Sequence, residues 1–296
     1  MFERLLILGL VQSLAFLAVA LGVAILFKAQ RFFNFAFGAI YAVGAYTAYW
    51  FSVRNAFPLI AAAAVGAGAA AVLGLLTDLL VFSRLRKRKA SPAVQMIASI
   101  GLYVAAVNII SMLFGDDIRS LRTWPVEEGY ACLSVRISGT QIIIGLSSLL
   151  LTALVAWLLK FSGFGLALRA VSTNEGLALS TGIRTRRVVW LGVTLGSAVS
   201  GFAGVLLALD TGLVPTMGFR ALLIGIVVGI VGGMGRIRGA FIGSILLGLT
   251  MYLGVLMTGT KWQDATAFLL LLVFLLFRPK GIFGSDMRLG VKPTLG

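Results

Sequence analysis

Apolar stretches of roughly membrane-spanning length recur along this chain of 296 residues, and that recurrence constrains its fold more than any other feature. A helix needs about 20 predominantly apolar residues to cross the hydrocarbon of a bilayer. Between charged or turn-rich breaks, nine such runs can be marked: roughly 5–27, 34–52, 58–82, 93–115, 141–160, 187–210, 218–235, 239–258 and 262–277. The expected fold is therefore an all-α polytopic membrane protein of about nine transmembrane helices, with eight to ten as the range, in a single domain over 1–296. Two runs are irregular. The stretch 34–52 is studded with Gly, Ala and Tyr and reads as broken or re-entrant. The stretch 218–235 ends in Gly232-Gly233-Met234-Gly235, poor helix material, which makes eight the alternative count.

Composition agrees. Hydrophobic residues make up 59% of the chain and charged ones 12%, about half the share that keeps a soluble surface wet. The first run, Leu5 to Phe27, has a weakly charged start and is too long for a signal-peptide core, so it reads as a span. One cysteine, Cys132, permits no intrachain disulfide. Histidine is absent, removing the commonest metal ligand and the usual proton carrier near neutral pH.

The formal charge of +15 is explained by placement. Lys28 with Arg31, the cluster Arg84, Arg86, Lys87, Arg88 and Lys89, the connection 160–187, Arg236 with Arg238, and the tail with Arg278, Lys280, Arg288 and Lys292 fall on one side of a nine-span arrangement. They hold 18 of the 25 basic residues. Seven of the ten acidic residues fall on the other side, among them Asp116, Asp117, Glu127 and Glu128. The excess of Lys and Arg on one side marks it as cytoplasmic, with the N-terminus outside and the C-terminus inside. No nucleic-acid partner is needed to account for the charge.

The energy source is missing. No G-x-x-x-x-G-K-[ST] loop occurs, so the chain lacks that cradle for ATP phosphates. Intramembrane carboxylates, the mark of ion-coupled carriers, are few: Asp78, Asp210 and Asp264 each sit near a span end, where water or a basic neighbour is within reach. A stand-alone ion-coupled carrier using Asp78 or Asp210 is one alternative, and a non-transporting scaffold is another. A pore powered by a separate ATPase must offer that partner a handle. The best candidate is the connection 161–187, long enough for a short helix along the membrane face. Ala170, Leu177, Ala178 and Ile183 form its apolar edge, and Arg169, Asn174 and Glu175 its polar one. Gly182 supplies the helix stop. The same composition also fits an ordinary basic loop.

Four blocks then carry a resemblance. Arg169-Ala170-Val171 with Asn174-Glu175, Ala178 and Thr181-Gly182-Ile183 resembles the coupling stretch of the branched-chain amino acid ABC permease family. Phe33-Asn34-Phe35-Ala36-Phe37-Gly38 resembles its N-F-A-H-G block. Arg220-Ala221-Leu222 through Gly232-Gly233-Met234-Gly235 to Gly239-Ala240 resembles its late glycine-rich stretch, and Arg278-Pro279-Lys280-Gly281-Ile282-Phe283-Gly284 its terminal R-P-x-G-L-F-G. The resemblance implies an inner-membrane, all-α permease without a cofactor of its own. It also implies a second related permease, identical or not, and two ATP-binding subunits that carry ATP and Mg. An extracytoplasmic binding protein would deliver the substrate. Arg169, Ala170, Asn174, Glu175, Ala178 and Gly182 would then couple the chain to the ATPases. Phe37 stands where the family usually has histidine, which leaves branched-chain amino acids, urea and short amides open as substrates.

Irregular backbone at membrane depth is tolerated only where protein or water surrounds it, and it often flanks transporter sites. That reasoning points to Asn34, Phe37, Gly38 and Tyr41, to Gly232 and Gly233, and to the mid-span polar residues Ser99 and Asn108 as pathway candidates. A helix–helix hydrogen bond is the competing role for the polar ones.

Overall fold

A computed structural model describes residues 2–122, 124, 129–132, 135–278 and 281–283. Tail cations Lys280, Arg288 and Lys292, together with Pro279, Gly284, Glu127 and Glu128, lie outside the described residues.

The chain is built from helices, as expected. Among the described residues six are long and apolar enough to cross a bilayer: α1 (Phe2–Gln30), a continuous rod Leu59–Lys87, α5 (Pro92–Phe114), α6 (Gly139–Phe161), α9 (Thr185–Thr211) and α11 (Ile237–Thr258). The rod joins α3 (Leu59–Thr77) to α4 (Ser83–Lys87) through a π-helical turn at Asp78–Phe82. Three of the nine expected spans are shorter: α2 (Phe37–Tyr49), which runs on into a π turn at Trp50–Arg54, α10 (Met217–Gly232) and α12 (Gln263–Phe277). At 1.5 Å per residue, the 16 residues of α10 reach about 24 Å, less than the roughly 30 Å of hydrocarbon. The segment after α5 carries a small antiparallel hairpin, Tyr130–Cys132 with Val135–Ile137, which the all-helical expectation lacked.

The architecture repeats with its direction reversed. In the first half α1 ends, the chain turns back, and α2 starts beside Gly22 of α1, well inside the bundle. In the second half α9 ends, residues 212–216 turn back, and α10 starts against α2. The two turns share their backbone bonding. Phe37 N–H donates to Asn34 O at 3.2 Å, and Met217 N–H donates to Val214 O at 3.0 Å. Packing follows the exchange of halves: α1 lies on α9, α10 and α11, while α9 lies on α1, α2 and α3. Such inverted pairs of helices, with broken segments at mid-depth, recur in transporters.

Between helices in lipid, burial of apolar area supplies little drive, because lipid tails are as apolar as leucine; close packing of small residues does the work. The tightest approach is where α2 and α10 begin. A Cβ on Gly38 would lie 2.9 Å from Gly218 O and 2.8 Å from a ring carbon of Tyr103. Gly44 meets Gly201, Gly66 meets Gly44, and Gly232 meets Gly239 in the same backbone-to-backbone manner. Gly192 and Gly196, one turn apart on α9 (Thr185–Thr211), face Ala29 and Leu26 of α1, and Gly225 on α10 faces Val23; these glycines serve packing within the chain.

The basic loops gather at one end. Arg31 reaches Val171, Gly235 lies on Lys28, and Arg31, Arg86, Lys87 and Arg186 surround one cavity. Residues beyond α12 close the end of α10, where Ile282 N–H donates to Val231 O and Phe283 N–H to Gly232 O. At the opposite end Arg119 and Leu213 form a two-bond bridge, and Arg220 pairs with Asp264 at 2.7 Å.

Replacing Gly38 with alanine is expected to lower stability by about 1–3 kcal/mol, the usual range for forcing extra volume into a packed site. Gly68→Ala and Gly101→Ala should be neutral, since a Cβ there meets nothing within 4 Å. Thermal loss of monodisperse protein in detergent compares the three.

Candidate functional site

The turn after α1 is held by a buried polar network rather than by apolar packing. Asp78, on the π turn of the Leu59–Lys87 rod, has no solvent exposure. Arg86 grips it with two parallel bonds, 2.9 Å to Oδ1 and 2.6 Å to Oδ2, the bidentate geometry that makes carboxylate–guanidinium pairs strong. The insertion in the π turn belongs to the same rod that carries both partners, eight residues apart. Gln30 Nε2, at the end of α1, also donates to Asp78 Oδ1 at 3.1 Å. Asn34 Nδ2 donates to Gln30 Oε1 at 3.0 Å, and Asn34 Oδ1 accepts from Ala36 N–H at 2.9 Å. From α5, Ser99 Oγ accepts from Phe35 N–H at 2.9 Å. Three helices thus hold one turn of six residues.

This changes the reading of several expected pathway residues. Asn34 and Ser99 are buried and spend their hydrogen bonds on backbone and on Gln30, so they fix the turn. Phe37 is enclosed among Gly22, Tyr41 and its neighbours on α10. Gly38 is the contact with α10, and Gly232 and Gly233 pack against Gly239 and Gly281. Asn108 is exposed on α5 and donates to Val104 O on its own helix, apart from the others. Phe37 borders only a small internal void, whereas Tyr41 lines a larger cavity. That space, of about 380 Å³, opens at the end opposite the basic loops and is also lined by Gln12, Asp210, Arg220, Tyr252 and Gln263. A second cavity, of about 470 Å³, lies at the basic end beside Arg31, Arg86, Lys87, Arg186 and Glu175. The meeting point of α2 and α10 lies between the two ends.

The three carboxylates read as boundary groups find different surroundings. Asp264 has Arg220, and Asp210 is exposed on the first cavity. Asp78 has its basic neighbour but is sealed from water, which its position one turn from a basic loop did not indicate.

At the basic end, the expected short helix of the 161–187 connection is two helices. α7 (Gly163–Thr173) lays Leu168 and Val171 into the core, while Leu166 on its other face stays exposed. Ser162 caps its start, accepting from Gly165 N–H at 3.0 Å. Asn174 ends α7 in extended backbone and caps α8 (Glu175–Ser180), its Oδ1 accepting from Leu177 N–H at 3.1 Å. Gly182, at φ 81°, closes α8: Ile183 N–H donates to Ala178 O and Gly182 N–H to Leu179 O, both at 3.0 Å. That pair of bonds is a Schellman stop, matching the expectation for this glycine. Ala178 is buried and Ala170 packs on the core, whereas Asn174, Glu175 and Leu177 face outward. Arg169 donates to the carbonyl of Leu159 in the last turn of α6, where a cation also suits the helix dipole.

One residue at this end escaped the sequence reading. Arg31 follows α1 with a left-handed backbone, φ 62°, and its NH2 donates to Val171 O near the end of α7 at 2.5 Å. In sequence it is a flanking cation like any other.

Removing Arg86 leaves the Asp78 carboxylate buried without its counter-ion. Arg86→Ala is expected to cost about 3–5 kcal/mol, the range for breaking a buried pair from one side. Asp78→Asn should cost less, because Arg86 can turn to water. Heat-induced aggregation of the two variants gives the order, and equal losses would contradict it.

A family model described as the permease component of branched-chain amino acid transport systems matches residues 5–277. The high-affinity branched-chain amino acid transport system permease protein LivH of Escherichia coli (strain K12) is 28% identical over 290 residues, covering 93% of each chain. The corresponding permease protein BraD of Pseudomonas aeruginosa is 28% identical over 93% of this chain and 94% of its own. A probable LivH of Methanocaldococcus jannaschii is 29% identical over 97% of this chain and 94% of its own.

Proposed function

The chain belongs to the family of branched-chain amino acid transport permease components, and we propose that it forms the translocation path of an ABC importer for branched-chain amino acids. The match of the family over residues 5–277 carries this reading, together with relatives of that printed function aligned over nine-tenths of both chains. The family is a transport family, and this chain is its membrane-spanning part rather than an enzyme.

The finer assembly follows from that role. Two ATP-binding subunits, carrying ATP and Mg, dock at the basic end, which is the cytoplasmic one; the N-terminus is outside and the C-terminus inside. A second related permease pairs with this chain, and an extracytoplasmic binding protein delivers substrate to the opposite end. Residues 161–187 are the coupling segment within the single domain 1–296. Within it Asn174, Glu175 and Gly182 shape the outward-facing α8, and Arg169, Ala170 and Ala178 seat the pair on the bundle. Two features support this: α8 is capped at both ends yet exposes Leu177 and Leu179, and α7 beneath it is packed into the core. A small capped helix on a rigid base suits a socket in a partner.

Transport is alternating access between the two cavities. The α2–α10 contact is the barrier, Tyr41 flanks the outer space, and Asn34 and Ser99 set the turn from which α2 starts.

Gentle purification from native membranes should bring down ATP-binding subunits in stoichiometric amount. In liposomes containing that complex, leucine uptake should need ATP and the binding protein. Asp210→Asn should leave it intact. Uptake by the chain alone under an ion gradient, lost on neutralising Asp210, would instead identify a secondary carrier. Glu175→Lys, which places a cation at the exposed start of α8, should abolish uptake while leaving the purified chain as stable as wild type.

A further inference from the structure

Arg31 is an unusual residue for its position. The αL residue that ends a helix is usually glycine, because a Cβ is disfavoured there. Here the bond from Arg31 N–H to Phe27 O, at 2.8 Å, closes α1 with an arginine in that conformation. Strained backbone of this kind persists where the surroundings over-determine it, and it concentrates at switch regions. The side chain supplies the reason. Its NH2 reaches Val171 O across 140 residues of sequence, meeting the negative end of the α7 dipole within that helix's last turn.

What lies on either side of Arg31 matters equally. Gln30 and Asn34 are both tied into the Asp78 network, and Phe37 begins α2 three residues after Asn34. Arg31 sits inside this locked turn. A displacement of α7, which also packs on α1, therefore has a direct charged hydrogen bond to the turn, close to the start of the helix that meets α10.

We propose that Arg31 is a positioning residue of the transport cycle: it transmits movement of the α7–α8 pair to the start of α2, and so to the α2–α10 barrier. This rests on the importer reading above. Arg31 touches no substrate. It acts through Val171 on one side and the turn 31–36 on the other.

The test uses the complete importer in liposomes, with its ATP-binding subunits and binding protein, measuring leucine uptake and ATP hydrolysis in the same preparation. Arg31→Gly removes the whole side chain, guanidinium included, while glycine readily keeps the left-handed backbone, so the helix end is preserved. Arg31→Lys keeps a cation and a donor. In Arg31→Gly, ATP hydrolysis should persist while uptake per ATP falls about tenfold, within the usual range of coupling between sites. Arg31→Lys should recover part of the loss. Unchanged uptake per ATP in Arg31→Gly would overturn the proposal. Uptake and hydrolysis falling in the same proportion in both variants would also overturn it, since that is the mark of a merely structural role. If the wild-type complex shows no ATP-driven uptake, the importer reading fails first and takes this proposal with it.

Discussion

A buried carboxylate organises this molecule. Asp78 is sealed from solvent, and a lone charge in such a place would be prohibitive. Arg86 neutralises it in bidentate fashion, and Gln30 satisfies one of its remaining acceptor sites. Gln30 then orients Asn34, whose other amide atom fixes the backbone of Ala36. The chain leaves α1, reverses within a few residues, and re-enters the bundle with the Gln30 and Asn34 side chains and the N–H groups of Phe35 and Ala36 all paired within the protein. Without Asp78, Gln30 Nε2 would lose its carboxylate acceptor, and Arg86 its partner on the rod.

The second half solves the same problem differently. Its reversal after α9 is pinned by the Arg119–Leu213 backbone bridge, and Arg119 also donates to Phe114 O and to the Tyr49 hydroxyl. One turn is therefore held by a buried ion pair and the other by a strand-like bridge near the surface. Buried polar networks are worth most when fully satisfied and fail together when one member is lost. The two ends of the barrier thus differ in how they yield. The turn at the basic end is fixed by an all-or-none cluster, and the opposite turn by bonds closer to water.

Most of the architecture was legible in the sequence because lipid leaves few options. Every one of the nine apolar runs contains a helix, although 34–52 holds an uninterrupted one, α2 running on into the π turn, where a break was expected; Gly182 ends a helix where its position after an amphipathic stretch suggested. Polar residues were harder to read. Asn34 and Ser99 look like a pathway when seen as polar atoms in an apolar span, yet Asn34 bonds the Gln30 side chain and Ala36 N–H close by, and Ser99 bonds Phe35 N–H, 64 residues away. Asn108 shares no surface with them. Asp78 and Arg86 sit eight residues apart on one rod, but the π turn that brings them into register leaves no composition signal. Arg31 was indistinguishable from the other flanking cations, because its partner is a backbone carbonyl, which any sequence would supply. Side chain to main chain contacts across long separations are where pattern reading stops.

The closing of α10 by Ile282 and Phe283 has a bearing on biogenesis. Helix ends leave carbonyls without partners until something else supplies a donor. Here the donors come from residues made after α11 and α12, so α10 can be inserted during synthesis but not finished until α12 has left the ribosome. The first half, whose turn is held by residues 30–99, can mature much earlier. A newly made chain therefore passes through a stage with α2 seated and its counterpart α10 still open at the basic end.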